Sequence, residues 1–248
     1  MKAIAAVLYR EGKIRFTNFI WIFWVMLYPL GYLLVFGVGI NYTMGSPVAG
    51  SDYNAFFLAS VLAMACFGIA SNSAWGFFVD RDNGIFYEML TYPLSRAEFL
   101  IGKVTFNLLL GIVQAAITVA ASWLILDVPV RFDLSPLLTL GIVGGTAGWF
   151  FFYAIFALRI RRNDLFNTLN SIFYFVFLFI SSLFYPLEPL PSWFRALALA
   201  NPVTWQVDLL RYSTIGVGDP FLIAVETAGF GLFSVAALAY AVRALRQQ

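Results

Sequence analysis

Six long apolar stretches, separated by short segments that hold most of the charges, constrain this chain more than any other feature. A helix needs about 20 apolar residues to cross a bilayer's hydrocarbon core. Stretches of that size occupy residues 18–40, 54–78, 104–126, 136–158, 164–184 and 221–242. Hydrophobic residues make up 61% of the chain and charged residues 11%. Because backbone groups in lipid must bond internally, these runs predict an all-α integral membrane protein with six transmembrane helices, folded as one domain over residues 1–248.

The distribution of Lys and Arg predicts how the chain is oriented. With the N-terminus inside, the cytoplasmic segments hold all of the fifteen Lys and Arg residues except Arg131, Arg195 and Arg211. Basic loops resist translocation, so both termini are expected in the cytoplasm and the protein in the cell membrane. Basic residues along a membrane face predict contact with lipid headgroups, and they give no indication of nucleic acid binding.

Residues 1–17 predict an amphipathic helix that lies along the membrane surface. Apolar residues share one side of this helix at helical spacing, and cationic residues share the other. The two sets are Ile4, Val7, Leu8 and Ile14, and Lys2, Arg10 and Lys13. Glu11 and Arg15 stand four residues apart in the order that favours an ion pair.

The residues that the chain lacks exclude most catalytic chemistry. It has no His and one Cys, Cys66, which excludes zinc sites, Ser–His–Asp or Cys–His catalysis and internal disulfides. Neither Gly12-Lys13 nor Gly102-Lys103 has the upstream glycine and following hydroxyl of a phosphate-binding loop. Glu226, the one candidate for an ionisable group deep in a stretch, is expected at the outer headgroup boundary. We therefore expect neither an enzyme nor an ion-coupled transporter.

The loop 80–103 predicts a docking element on the cytoplasmic face. Residues 85–91 contain no Pro or Gly and predict a short helix, with Asp80 and Asp82 near its positive end and Pro93 as its stop. Ser95 and Glu98 have the spacing of a capping box for the helix that enters the third stretch. A compact, charged peg between two membrane spans suits docking of a soluble partner.

Three motifs follow one another along the chain. The loop contains, in order, Gly84, Glu88, Leu90, Pro93, Ser95, Arg96, Glu98, Gly102 and Lys103. A segment that begins with Asn201-Pro202 and ends at Arg211 precedes the last stretch. The entry to the first stretch contains Arg15, Trp24 and Pro29. In these residues the chain resembles, from end to end, the permease subunit of type-2 ABC exporters, closest to the drug and lipo-oligosaccharide class.

This resemblance implies that the loop 80–103 is a coupling helix for a separate ATP-binding cassette ATPase subunit. The contact residues it implies are Gly84, Phe86, Tyr87, Glu88, Met89, Leu90, Pro93, Ser95 and Arg96. ATP and Mg²⁺ would bind to that partner, with no cofactor on this chain, and a second permease copy, identical or related, would complete the transporter. The interfacial helix would act through Arg10, Glu11 and Arg15.

The resemblance also implies a route for an amphipathic cargo, such as a drug, a lipid or a lipid-linked glycan, by alternating access. Residues 185–211 would form an outer re-entrant hairpin, with a short helix at 193–199 and an outer gate at Asn201 and Pro202. Two stripes at helical spacing are candidates for the pathway, and packing or lipid contact is the alternative for both. They are Trp21, Trp24, Tyr28 and Tyr32, and Phe166, Asn170, Phe173 and Phe177.

Gly-x-x-x-Gly pairs in the fourth stretch predict a close helix approach within one subunit. The pairs are Gly141 with Gly145 and Gly144 with Gly148. Two functions of other classes stay open. One is a metal-dependent, lipid-modifying enzyme that uses Asp80, Asp82 and Glu88 as ligands. The other is a channel or scaffold that works without ATP.

Overall fold

A computed structural model describes residues 2–44 and 52–247, except for the side chains of Lys2, Asn41, Tyr42 and Met44. The predicted position of Lys2 on the polar side of the first helix therefore lies outside the described side chains. The described residues are largely helical and include no strand, which confirms the all-α class. The helices are α1 (Lys2–Thr17), α2 (Phe19–Tyr32, continued by a π-helical segment, Leu33–Val38), α3 (Gly39–Met44), α4 (Tyr53–Asp82), α5 (Ile85–Met89), α6 (Arg96–Ile125), α7 (Ser135–Arg159, preceded by a 3₁₀ turn, Phe132–Leu134), α8 (Asn163–Phe179), α9 (Ser192–Leu199), α10 (Pro202–Ile215) and α11 (Pro220–Arg246).

Five helical segments of the described residues are long and apolar enough to cross a membrane. They are Phe19–Val38, Tyr53–Asp82, Arg96–Ile125, Phe132–Arg159 and Pro220–Arg246. The helix over the fifth predicted stretch, α8, has 17 residues and is about 25 Å long at 1.5 Å per residue. The Asn201 side chain donates hydrogen bonds to the carbonyls of Phe177 and Ile180, where α8 ends. The sixth span therefore stays a prediction.

Helix α4 is the centre of the fold. It packs against α2, α6, α7 and α10, and nearly all of its residues from 53 to 78 are buried. A helix that is apolar on every side belongs in an interior. Phe67 shows the packing, because its ring meets those of Trp149 and Tyr174 edge to face at 4.7 and 5.3 Å. The cytoplasmic loop thus starts from a helix that is fixed by its neighbours.

Glycines let α7 approach its two neighbours closely. A Cβ atom at Gly145 would overlap the Gln206 amide of α10, and one at Gly148 would overlap the Ser234 hydroxyl of α11. A Cβ at Gly141 would lie 2.8 Å from Leu210 Cδ2. The predicted close approach within one subunit is therefore confirmed at these three positions. Gly144 has nothing within 4 Å of such a Cβ and takes no part in it.

Candidate functional site

The loop between α4 and α6 forms a short helix at the end of the bundle where both α1 and the end of α11 lie. Gly84 ends the preceding turn in the left-handed conformation, at φ 77°, which a glycine adopts without the strain of a Cβ. Helix α5 follows over Ile85–Met89, so the short helix predicted for 85–91 is present with an earlier end. The Arg96 guanidinium donates a 3.4 Å hydrogen bond to the Arg246 carbonyl at the end of α11.

The predicted capping box at the start of α6 is confirmed. The Ser95 Oγ accepts a hydrogen bond from the Glu98 backbone N–H at 3.2 Å, and the Ser95 N–H donates to Glu98 Oε2 at 3.0 Å. This exchange satisfies two backbone donors that helix geometry leaves free. It fixes where the loop ends and α6 begins.

One residue of the predicted ATPase contact set is placed wrongly. Phe86 is fully buried, with its ring centroid 5.6 Å from that of Phe77 and 5.2 Å from that of Phe99. It anchors α5 to α4 and α6 and is not accessible to a docked protein. Tyr87 is 45% exposed. The other predicted contact residues are exposed or partly exposed, namely Gly84, Glu88, Met89, Leu90, Pro93, Ser95 and Arg96.

A buried ion network lies beneath this loop and joins three helices. Lys103 Nζ of α6 is 2.7 Å from Glu11 Oε1 of α1 and 2.8 Å from Asp80 Oδ2 of α4. Arg10 adds a bidentate contact to Asp80, with its Nη2 2.6 Å from Oδ1. Two predictions are therefore wrong. Asp80 pairs with cations instead of supporting the start of α5, and Glu11 pairs with Lys103 and Arg10 instead of Arg15.

The network keeps its charges. Burial alone would lower the pKa of Arg10, but the hydrogen bond and charge of Asp80, together with the charge of Glu11, raise that pKa above its ordinary value. Paired and hydrogen-bonded charges of this kind are costly to break singly, because the remaining partner is left buried without compensation. The network therefore ties α1 firmly to the helices on either side of the loop.

Helix α1 packs against the bundle through a face that combines apolar and charged residues. Val7, Glu11 and Arg15 are its buried residues, whereas Ile14 is 50% exposed. Val7 packs against Gly102 of α6, where a Cβ would lie 2.7 Å from the Val7 side chain. The missing side chain at Gly102 and the charge of Lys103 thus serve the same contact with α1. Sequence periodicity missed this face because it grouped the apolar residues and left the charged partners out.

The first aromatic stripe is present, and the second is not on an open face. The rings of Trp24, Tyr28, Tyr32 and Phe36 follow one another at centroid distances of 6.3, 4.8 and 5.3 Å. Trp24 is 61% exposed. Trp21, also in the first predicted stripe, lies under Arg15, whose Cζ is 4.1 Å from its ring centroid.

The second stripe, on α8, faces the interior. Phe166 is buried and its ring lies 5.1 Å from that of Phe78. Phe173 and Phe177 pack against Phe152, at ring distances of 5.3 and 5.6 Å. Asn170 accepts a hydrogen bond from the Ser71 hydroxyl of α4. As an open pathway face this prediction is wrong. The exposed side of α8 contains Asn167, Ser171, Phe175 and Phe179 instead.

The segment before α11 is held by polar anchors. Asn201 caps α10 by accepting a 2.9 Å hydrogen bond from the Val203 N–H, and Pro202 is the first residue of that helix. Arg211 pairs with Asp208 at 2.7 Å and donates to the Ser182 carbonyl at 2.9 Å.

The Glu226 carboxyl group is buried, in a cavity of about 280 Å³ that Asp208 and Arg211 also line. Glu226 lies in the second turn of α11, and its position relative to the headgroup boundary stays a prediction.

The carboxylates proposed as metal ligands do not assemble into a site. Asp80 is taken up by Arg10 and Lys103. Among the described residues, no three His, Cys, Asp or Glu side chains come together in a way that could hold a metal ion. The geometry of the loop therefore favours a docking element over the enzyme alternative.

Fold and loop together define a helical multi-pass membrane protein that presents one short, braced helix beside both ends of its chain. The model of the ABC-2 type transporter family matches residues 2–215, and the chain belongs to this family. Its helices and its family make it a multi-pass membrane protein of an ABC transporter system, of the permease type.

Three curated relatives have similar sequences. The putative transport permease ycf38 of Pyropia yezoensis is 26% identical over 211 residues, 83% of this chain and 72% of the relative. The protein of the same name from Porphyra purpurea is 25% identical over 189 residues, 75% of this chain and 65% of the relative. The daunorubicin resistance ABC transporter permease protein DrrB1 of Streptomyces coeruleorubidus is 25% identical over 213 residues, 83% of this chain and 73% of the relative.

Proposed function

We propose that this chain is the transmembrane subunit of an ATP-driven exporter and that its ATPase partner docks on α5. The observation that carries this proposal is the build of the loop. One aromatic side chain, Phe86, anchors the short helix from below, while Tyr87 and Glu88 stay exposed on it. An exposed helix without a firm base could not transmit force, and this one rests on α4 and α6.

The ion network suggests how motion of the ATPase would reach the membrane. Asp80 stands two residues before the end of α4, and Lys103 lies in the second turn of α6. Both contact α1 through Glu11 or Arg10. A push on α5 would therefore move three helices as one unit. In this scheme ATP and Mg²⁺ bind to the partner, and this chain transmits the partner's motion to the membrane helices.

We further propose that two copies, identical or related, enclose the cargo path, that both termini face the cytoplasm and that α1 lies at the membrane surface. Few residues of the span that contains α2 are buried in a single copy, and the side of α8 that contains Asn167 and Ser171 is exposed. Polar side chains in lipid usually face protein or water, so a second copy is the expected neighbour of α8. The cargo would be amphipathic, and the exposed rings of the first stripe would contact it.

Copurification of an ATPase tests the docking proposal. The full-length chain is tagged, expressed with neighbouring genes for candidate ATPases, extracted in mild detergent and assayed for captured ATPase and vanadate-sensitive ATP hydrolysis. Tyr87→Ala and Glu88→Ala together should reduce capture at least tenfold, because central interface residues often contribute about 2 kcal/mol or more. Tyr9→Ala is the matched control, since Tyr9 is an exposed tyrosine on α1. Equal capture by the double variant and the control would refute docking on α5.

A further inference from the structure

Within residues 2–44 and 52–247, Arg15 is the one cation of the network region that has no ion pair. Five charged side chains meet beneath the loop, three cationic (Arg10, Arg15 and Lys103) and two anionic (Glu11 and Asp80). Both carboxylates are engaged by Arg10 and Lys103. One positive charge is therefore left over, and it is that of Arg15.

The Arg15 side chain is more than nine-tenths buried, at 9% exposure. Its guanidinium lies 4.1 Å from the centroid of the Trp21 ring and beside Gly76, and the described residues give it no hydrogen-bond acceptor and no ion pair. Burial lowers the pKa of Arg15, and the charges of Glu11 and Asp80 offset this only in part. A guanidinium carries five N–H donors in a planar fork that suits phosphate oxygens. None of the Arg15 nitrogens is a fully enclosed atom without a partner, so the fork reaches the adjoining space and can donate to an anion there.

Arg15 lines a cavity of about 220 Å³ between α1, α2 and α4. Asn18, the N-cap of α2, also lines this cavity, so the positive end of a 14-residue helix faces the same space. The site thus combines two independent features, an unpaired cation and the N-terminal end of a helix. Glu11 and Asp80 line the cavity too, but their carboxylates are paired with Arg10 and Lys103. The unpaired guanidinium and the helix end therefore favour a negatively charged ligand.

A second cavity, of about 150 Å³, continues between α2 and α4 and is lined by Trp24, Tyr28 and Met64. Asn72 lines both cavities, so the two are adjacent along one cleft. The first is charged and the second is apolar and aromatic. Trp21 lines the first cavity and Trp24 the second, and Trp is common at the depth of lipid headgroups.

We propose that this cleft binds a phosphate-bearing amphipath, with the phosphate on Arg15 and an apolar chain between α2 and α4. The phosphate would accept hydrogen bonds from the guanidinium and lie at the N-terminus of α2. The apolar chain would contact the exposed ring of Trp24 and the partly exposed ring of Tyr28. That the bound amphipath would lie in the cytoplasmic leaflet rests on the proposed function. Its binding to this chain requires only the cleft.

Native mass spectrometry of the full-length chain in non-ionic detergent tests this site. Three probes test the phosphate-binding and the apolar part of the site separately. They are dioctanoylphosphatidic acid, dioctanoylglycerol, which has the same chains without the phosphate, and inorganic phosphate, which has no chains. We expect saturable binding of one phosphatidic acid per copy and weaker binding of both other probes. If inorganic phosphate displaced the lipid at concentrations equal to those of the lipid itself, the ligand would be a free phosphate and the apolar half of the site would be refuted.

Arg15→Gln should weaken phosphatidic acid binding by about 10–100-fold, the range expected for hydrogen bonds to a charged group. Lys13→Gln is the matched control, because it removes the same charge from an exposed position two residues away. Gly76→Leu offers a second route, since it fills the space beside the guanidinium and leaves Arg15 in place. Equal affinity for the wild type, Arg15→Gln and Gly76→Leu would overturn the proposal.

The result is separable from docking on α5. Capture of the ATPase depends on Tyr87 and Glu88, and the lipid assay contains no ATPase. Normal capture with no phosphate-dependent lipid binding would refute this site alone. Normal lipid binding with no capture would refute the proposed docking alone.

Discussion

Replacement of Lys103 by Met tests whether the buried ion network holds the loop to the bundle. Lys103 is 1% exposed and contacts two carboxylates, Glu11 at 2.7 Å and Asp80 at 2.8 Å. At an effective dielectric constant of about 20, each contact has a gross Coulomb energy of about 6 kcal/mol. Most of this offsets the desolvation of the three groups. The variant keeps the apolar stem, so it isolates the loss of the charge.

The expected cost is about 3–5 kcal/mol of unfolding free energy, because Arg10 would then be the only cation in direct contact with the two buried carboxylates, while Arg15 acts on them from farther away. A second estimate gives a similar figure. The protein can neutralise the carboxylate that has lost its contact by binding a proton, and protonation of an ordinary aspartic acid at pH 7 costs about 4 kcal/mol. At pH 5 the same step costs about 1.5 kcal/mol. The loss of unfolding free energy caused by Lys103→Met should therefore fall to less than half as the pH falls from 7 to 5.

The measurement is SDS titration in mixed micelles, followed by far-UV circular dichroism, at pH 7 and pH 5. Lys13→Met is the control, since Lys13 is exposed on α1 and its loss should change the unfolding free energy by less than about 0.5 kcal/mol. A deficit in Lys103→Met no larger than that of the control would show that the network does not stabilise the fold. A large deficit that stayed constant between the two pH values would refute the electrostatic explanation and leave packing as the cause.

Two further predictions use the same unfolding assay. Phe86→Ala should cost about 3–5 kcal/mol, because it removes a fully buried ring. Tyr92→Ala, at a position 65% exposed in the same loop, should cost far less, and equal losses would contradict the anchor role of Phe86. Gly145→Ala should cost about 1–3 kcal/mol, because its Cβ would overlap the Gln206 amide. Gly144→Ala has free space and should be neutral or slightly stabilising, so the same loss at both glycines would disprove the close approach.

Hydropathy and local motifs predicted most of the fold. Long apolar runs form helices in lipid, so the all-α class and the positions of the spans follow from them. The capping box at Ser95 and the glycines of α7 are equally local. The fifth stretch shows the limit of this reasoning. Its composition is apolar enough for a span, but Asn201, more than twenty residues away, binds the last carbonyls of α8, and no local pattern predicts such a contact.

The faces of the helices were predicted less well, for a physical reason. Periodicity groups residues that share a side but does not say which side meets protein, and in lipid both sides are apolar. Phe166, Phe173 and Phe177 do share a side of α8, but it is the packed one. In a helix of five residues such as α5, periodicity cannot separate a buried Phe86 from an exposed Tyr87. Charged residues were the better guide, because Lys103 and Asp80 near the ends of apolar stretches require partners.

The loop motif divides into residues that build the loop and residues that are free to meet another protein. Gly84 adopts the left-handed conformation before α5, and Ser95 and Glu98 cap α6. Gly102 leaves space for the Val7 side chain, and Lys103 forms ion pairs in the network. These five positions are explained by the folding of this chain alone. Of the remaining four, Leu90 packs partly buried against the core and Arg96 donates to the Arg246 carbonyl. Glu88 and Pro93 have no such contact to explain them.

The case for an ATPase partner therefore rests on the exposed part of the motif and not on the match as a whole. A substitution at Gly102 or Lys103 that abolished ATPase capture would show only that the loop had lost its base. Loss of capture at Glu88, with the unfolding free energy unchanged, would show contact with the partner, because Glu88 is exposed and none of the five structural positions depends on it.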